Sequence, residues 1–227
     1  MKRTKPLKQA RYLIVFLLPL AFCRVQCLFA YPIHFLDSGG SQITVAAPPQ
    51  RVVSLVPAVT EIMFELGAGE AVKGVTYNDN RPPDVAQKAV VGGFFAPSPA
   101  AVEALTPDVI FVSSLHTAVR DGFKGRPCTV VQLESRSLQE LYANIQLLGR
   151  IFAKERQAEA IVAQIQDEMR LIAEKIAKIP PNQRKRVMRF MGRNRVMTPG
   201  DDSFQNEFIR AAGGITPQLG KNGNVVD

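Results

Sequence analysis

From Val52 onward the chain alternates short apolar runs with amphipathic stretches, which predicts βαβ units around a parallel sheet. Val52 to Val56 reads as a first strand. Pro57 opens a helix in which Ile62, Met63 and Leu66 share a face, and Gly67 closes it. Val72 to Thr76 is a second strand, followed by a loop rich in Asn, Asp and Pro over 77–84. After the short run Ala89 to Val91 come a helix from Pro99 to Leu105, a strand from Val109 to Ser113, a helical turn over Thr117 to Gly122, and a strand from Cys128 to Leu133.

Ahead of these units, Ile33 to Phe35 and Gln42 to Val45 flank Asp37-Ser38-Gly39-Gly40 as a small hairpin. Behind them, 137–152 and 154–178 carry the strongest helical pattern. Ile161, Ile165, Met169, Ile172, Ile176 and Ile179 recur at intervals of three and four, predicting one apolar stripe facing a core. The second helix would be about 37 Å long, more than a simple crossover needs, and Pro180-Pro181 stops it. Arg186 to Met191 then reads as a strand, 192–200 as a loop and Ser203 to Ala212 as a helix ended by Gly213-Gly214.

The pattern therefore predicts a signal peptide over 1–30, an α/β lobe over 31–136, a helical segment over 137–180 and the start of a second α/β lobe over 181–227. One strand and one helix cannot bury their apolar faces alone, so that second lobe is expected to be incomplete at Asp227. A fragment lacking the rest of it is expected to bind ligand weakly or not at all.

Charge sharpens this division. Residues 1–30 carry Lys2, Arg3, Lys5, Lys8, Arg11 and Arg24, no acid, and an apolar run from Tyr12 to Cys23, the composition of a secretory leader. The run is shorter than the ~20 residues that span a bilayer. Cleavage after Ala30 is preferred to lipid anchoring at Cys23, because Phe22 stands where a lipoprotein signal wants a small residue. Without those six, the 28 basic residues fall to 22 against 20 acidic ones, a formal charge of +2. That argues against nucleic acid as a partner. Cys128 is then the one cysteine left, a structural thiol without a disulfide partner.

The residues that carry the most specific signal are Pro49-x-Arg51-Val52-Val53-Ser54-Leu55-x-Pro57, Thr60-Glu61, Leu66-Gly67-Ala68-Gly69, Gly74-Val75, Pro82-Pro83, Val91-Gly92, Leu105-x-Pro107-Asp108-Val109-Ile110 and Ala211-Ala212-Gly213-Gly214. In this order they resemble the periplasmic receptors for vitamin B12, haem and iron-siderophore complexes that serve ABC importers, the class with a rigid interdomain helix. The resemblance implies two Rossmann-like parallel-sheet lobes bridged by the long α-helix, with ligand in the cleft between them. It also implies delivery to an inner-membrane ABC permease, a monomer in the periplasm, no resident cofactor, and a small-molecule metal chelate as ligand.

In open parallel sheets the crevice lies beyond the carboxyl ends of the strands. The candidate ligand contacts are thus Val56 and Pro57, Tyr77 and Asn78, Phe94 and Phe95, and Ser114, joined from the second lobe by Arg193, Asn194 and Arg195. Adjacent phenylalanines offer a flat apolar wall, worth ~0.5 to 1.5 kcal/mol per aromatic pair beyond area burial. Tyr77 offers a phenolic oxygen, though the family's usual tyrosine position falls on Asn78. The arginines suit carboxylates, phosphates or a catecholate iron complex.

The family docks on its permease through two glutamates, and this chain has Ala100 and Arg210 at those positions. Glu103 and Glu207, each one helical turn away, are the replacement candidates.

Two rival readings stay open. A zinc or manganese receptor needs several converging His and carboxylate ligands, and the chain has only His34 and His116, each expected to be an ordinary surface or turn residue. A receptor of this fold acting without a permease would fit the missing docking pair. No dinucleotide loop, Walker loop, G-x-S-x-G elbow or H-E-x-x-H is present, and Ser113 and His116 are too close in sequence to suggest a triad, so an enzyme is not expected.

Overall fold

The computed structural model describes residues 31–223, 225 and 226. The expected leader over 1–30, with Cys23, lies outside them. An antiparallel hairpin of β1 (Ile33–Leu36) and β2 (Gln42–Val45) comes first. It is fastened to the sheet that follows: Ser38 N–H donates to Gln132 O at 2.9 Å, and the Asp37 carboxylate accepts the Gln132 N–H at 3.1 Å.

Five parallel strands form that sheet in the order β5 (Ala89–Val90), β4 (Val72–Val75), β3 (Val52–Ser54), β8 (Val109–Val112) and β9 (Thr129–Gln132). The first strand is shorter than its apolar run suggests. Val56 belongs instead to the start of α1 (Pro57–Glu65), because its carbonyl accepts the first helical N–H groups, those of Val59 and Thr60.

Alternation along each strand divides the core in two. Val52, Phe111 and Val131 face one side, where α1 and α4 (Leu138–Ile151) add Met63, Leu66, Ile145 and Leu148. Val53, Ile110 and Val112 face the other, covered by α2 (Pro99–Ala104) and α3 (Thr117–Gly122) through Val102 and Val119. Both faces are buried, which is why these strands read as continuous apolar runs.

The long helix α5 (Glu155–Ala177) has 23 residues. Its stripe does not face a core throughout. Ala158 and Val162 are buried and Ile161 and Ile165 pack beside them, whereas Leu171, Ile172 and Ile179 are exposed. The periodicity is present along the whole helix, but only the first half has α4 to pack against.

After Pro180 the expected strand over 186–191 does not form. Among the described residues there are only isolated bridges, Arg186 to Ile215, Met191 to Met197 and Thr198 to Val226. A strand needs a hydrogen-bonded neighbour over several residues, and this segment has none. The helix after it is α6 (Phe204–Ala211), capped by Ser203 Oγ.

Candidate functional site

The chain leaves β3 toward β4 and β5, then returns to β8 on the other side of β3. The switch point therefore lies between β3 and β8, and the crevice beyond their carboxyl ends is where an open α/β sheet takes ligand. A cavity of about 340 Å³ sits there. Val56, Val59 and Ile62 of α1 line one side and Leu138 and Leu141 of α4 another. Phe94 closes it from the sheet lobe, and Phe204 and Phe208 of α6 reach it from beyond the long helix. The wall is mainly apolar, with Ser113, Glu134 and Asn144 as its polar margin.

Phe94 is held by its own backbone. Residues 92–97 form a tight hairpin of β6 (Gly92–Gly93) and β7 (Ala96–Pro97) with Phe94 and Phe95 at the tip. Both residues of β6 are glycine, and the first is required. Gly92 has φ +113° and a side chain there would meet Ala96 O, while a side chain at Gly93 would run into the Tyr77 ring that lies over it. Phe94 N–H donates to Asn78 Oδ1 at 2.8 Å and Phe94 O is 2.7 Å from His116 Nε2.

His116 closes a turn, its N–H donating to Ser113 O at 3.2 Å, but it is no surface residue: 2% of it is exposed. Its Nδ1 accepts the Ser113 N–H at 3.0 Å, so Nε2 carries the proton and donates it to Phe94 O. The ring also stands edge-on to the Phe94 ring at 5.2 Å. Burial holds the imidazole below its ordinary value of 6.5, against the upward pull of the Phe94 carbonyl and the Glu134 carboxylate. Ser113 Oγ lies 3.4 Å from the same Nδ1 that the backbone N–H already occupies, an arrangement that locks a turn and does not activate a hydroxyl. His34 sits on the hairpin beside Thr44, at 2.9 Å.

The other expected contacts fall in three groups. Val56 and Phe94 line the cavity, with Pro57 between its wall residues in sequence. Tyr77 and Phe95, 69% and 84% exposed, stand outside it, Phe95 packed edge-on to Phe94 at 5.0 Å. Asn78 and Ser114 use their side chains within the protein, Asn78 on Phe94 and Ser114 Oγ on Glu134 Oε1 at 2.9 Å. Arg193, Asn194 and Arg195 are exposed on the turn joining Met191 to Met197, and none lines the cavity.

Leu138, Leu141, Phe204 and Phe208 were not legible as contacts, since each is an ordinary apolar position on an amphipathic helix. The T-shaped contact of Phe204 with Phe208, 6.2 Å between centroids, follows the i, i+4 spacing and is visible in the sequence only in hindsight of that helix.

Of the two docking candidates, Glu103 pairs with Arg126 on the surface. Glu207 is half-buried, and its Oε2 accepts the Leu138 N–H at 2.9 Å. That places a carboxylate at the N-terminus of α4, where helix and charge attract. Cys128 is half-buried, its thiol pushed up to about 11 by burial and by the Asp108 carboxylate, which leaves it unreactive. Among the described residues, no group of three or more His, Cys, Asp or Glu is placed to hold a metal ion, and no helix is long and apolar enough to cross a membrane.

An α/β sheet with its crevice at the switch point, followed by a long helix whose far side contributes to the same cleft, defines a solute-receptor architecture. The chain belongs to the periplasmic binding protein family, whose pattern it matches over residues 52–223. It is 29% identical over 185 residues to an uncharacterised ABC transporter substrate-binding lipoprotein of Bacillus subtilis, covering 79% of this chain and 59% of that one. It is also 29% identical over 190 residues to a cobalamin-binding protein of Halobacterium salinarum, covering 82% of this chain and 50% of that one. The chain thus spans between half and three fifths of these curated relatives. A periplasmic heme binding protein from Pseudomonas aeruginosa has the same fold, with a TM-score of 0.70 at 23% identity, over 77% of this chain and 64% of that one.

Proposed function

We propose that this chain is the ligand-capturing part of a solute receptor for an ABC importer, exported to the periplasm, and that its ligand is a cobalamin, haem or iron-siderophore type of chelate. The observation that supports this most is the apolar cavity at the β3 and β8 carboxyl ends, walled by Phe94 on one side and Phe204 and Phe208 on the other. At about 340 Å³ it stands at the small end of ligand pockets. It therefore grips one apolar face or edge of a larger chelate, with Tyr77 and Phe95 available outside it. The names of the cobalamin-binding and heme binding proteins above support the ligand class.

No covalent step belongs to this role. Capture is burial of the ligand's apolar face against aromatic side chains, followed by delivery of the loaded receptor, acting as a monomer, to a membrane permease. Glu103 and Glu207 are the proposed docking carboxylates, Glu207 with only the oxygen that Leu138 leaves open.

A melting-temperature screen of the mature protein expressed from its complete gene, against cyanocobalamin, haemin, a ferric catecholate siderophore and zinc, tests the reading. A shift of several degrees with one of the three chelates, abolished by Phe94→Ala, is expected. A shift with zinc alone would replace the chelate reading by a divalent-metal one, and silence with all four would favour a role without import. Separately, unchanged permease binding and uptake after Glu103→Ala with Glu207→Ala would end the docking proposal.

A further inference from the structure

The wall residue Phe94 is half-buried at the tip of a two-strand hairpin of only two residues a side, too short to fix an aromatic ring by itself. What fixes it comes from two distant loops. Asn78, after β4, accepts the Phe94 N–H at 2.8 Å, and His116, after β8, holds the Phe94 carbonyl at 2.7 Å. Both polar groups of one residue are thus taken from opposite sides.

We infer that His116 is a positioning residue for the ligand wall, clamping the Phe94 backbone together with Asn78, and that uptake of a proton by His116 opens the clamp. The geometry carries this. Nδ1 is the acceptor of the buried Ser113 N–H at 3.0 Å, so a proton on Nδ1 sets two N–H donors against each other. The ring must then leave that turn, and with it goes the donor to Phe94 O.

The charged groups facing the ring are Glu134, at the end of β9, which favours the proton, and Arg120 on α3, which opposes it. Glu134 is held by Ser114 through both N–H and Oγ, at 3.1 and 2.9 Å, and by Gln132 Nε2 at 3.1 Å, which fixes it where it stands. The hairpin over 92–97 contains no titratable side chain. Burial makes the neutral ring the resting state at neutral pH, so the clamp is closed there and opens as the pH falls through the lowered folded value. The link to ligand affinity rests on the cleft reading above, while the clamp itself does not.

The chain contains no tryptophan, so Phe95→Trp places a single fluorescent reporter on the hairpin tip. Its anisotropy is followed from pH 7.5 to pH 5, with far-ultraviolet circular dichroism confirming that the fold persists. Anisotropy is expected to fall and acrylamide quenching to rise about twofold across that range. His116→Gln, whose amide keeps an N–H donor toward Phe94 O and does not titrate, is expected to remove the pH dependence. Asn78→Ala is expected to loosen the tip at both pH values.

A reporter indifferent to pH with His116 present, or the same acid response in His116→Gln, would overturn the clamp. Because this measurement needs no ligand, its outcome is separate from binding. Titration of cyanocobalamin at pH 7.5 and 5 then reads the cleft itself, with weaker binding at pH 5 expected and restored in His116→Gln.

Discussion

Two stretches of this chain carry the same pattern, an apolar run followed by a helix closed by glycine, and they meet different fates. Val52 to Gly67 becomes the central strand of a sheet with its helix packed on one face. Arg186 to Gly213 becomes an extended segment with isolated bridges, and Val187, Met188 and Phe190 stay exposed. The first run is uncharged and the second carries Arg186 and Arg189, but the larger difference lies in their neighbours. The first run has β4 and β8 on its two sides, and the second has no continuous neighbour among the described residues. A pattern of apolar positions specifies which face wants burial, and only a partner converts that preference into a strand.

Equal truncations in the two regions give the sharpest break of that comparison. Phe111 is fully buried against Phe152, 6.4 Å between centroids, so Phe111→Ala should lower stability by ~3 to 5 kcal/mol. Phe190 is 66% exposed, and Phe190→Ala should change stability by no more than ~0.5 kcal/mol. Chemical denaturation of both variants decides this. A large loss at Phe190 would mean that the second region is packed in solution after all.

A smaller effect tests the joint between the regions. Glu207→Ala removes the carboxylate at the start of α4 and should lower stability by about 1 kcal/mol while speeding hydrogen exchange at the Leu138 amide. If that amide exchanges at an unchanged rate, α6 does not lean on α4 in solution.

The smallest expected effect concerns acid and belongs to the first region alone. Because burial depresses His116 in the fold, the unfolded chain takes up its proton first as the pH falls below 6.5. The stability His116 contributes is present above 6.5 and declines as the pH drops through the folded value. Melting temperatures from pH 7.5 to 5 should show this decline, and His116→Gln should reduce it.

Much of the first region was legible in advance. Pro57 and Gly67 set the limits of α1, and the Thr117 to Gly122 turn and both long helices fall within two residues of their expected ends. The crevice was expected beyond the carboxyl ends of the strands, and the strand order of the fold puts it between β3 and β8. The site within it was less legible. Asn78 and Ser114 look in the sequence like groups offered to a ligand, yet each is consumed by a neighbour far along the chain. His116 looks incidental and is the buried link between two loops.

By itself the sequence determined the alternation of strands and helices over 52–178, the apolar faces, the helix stops and the presence of an aromatic pair in a glycine-flanked loop. These follow from local backbone preference and from periodicity, which a short window of residues contains in full. Tertiary structure alone decided that Phe94, Phe204 and Phe208 share one cavity, that Asn78 and His116 meet on the Phe94 backbone, and that Glu207 ends at Leu138. Each of those joins residues from separate elements, and a contact of that kind depends on how whole elements pack, which no local pattern encodes.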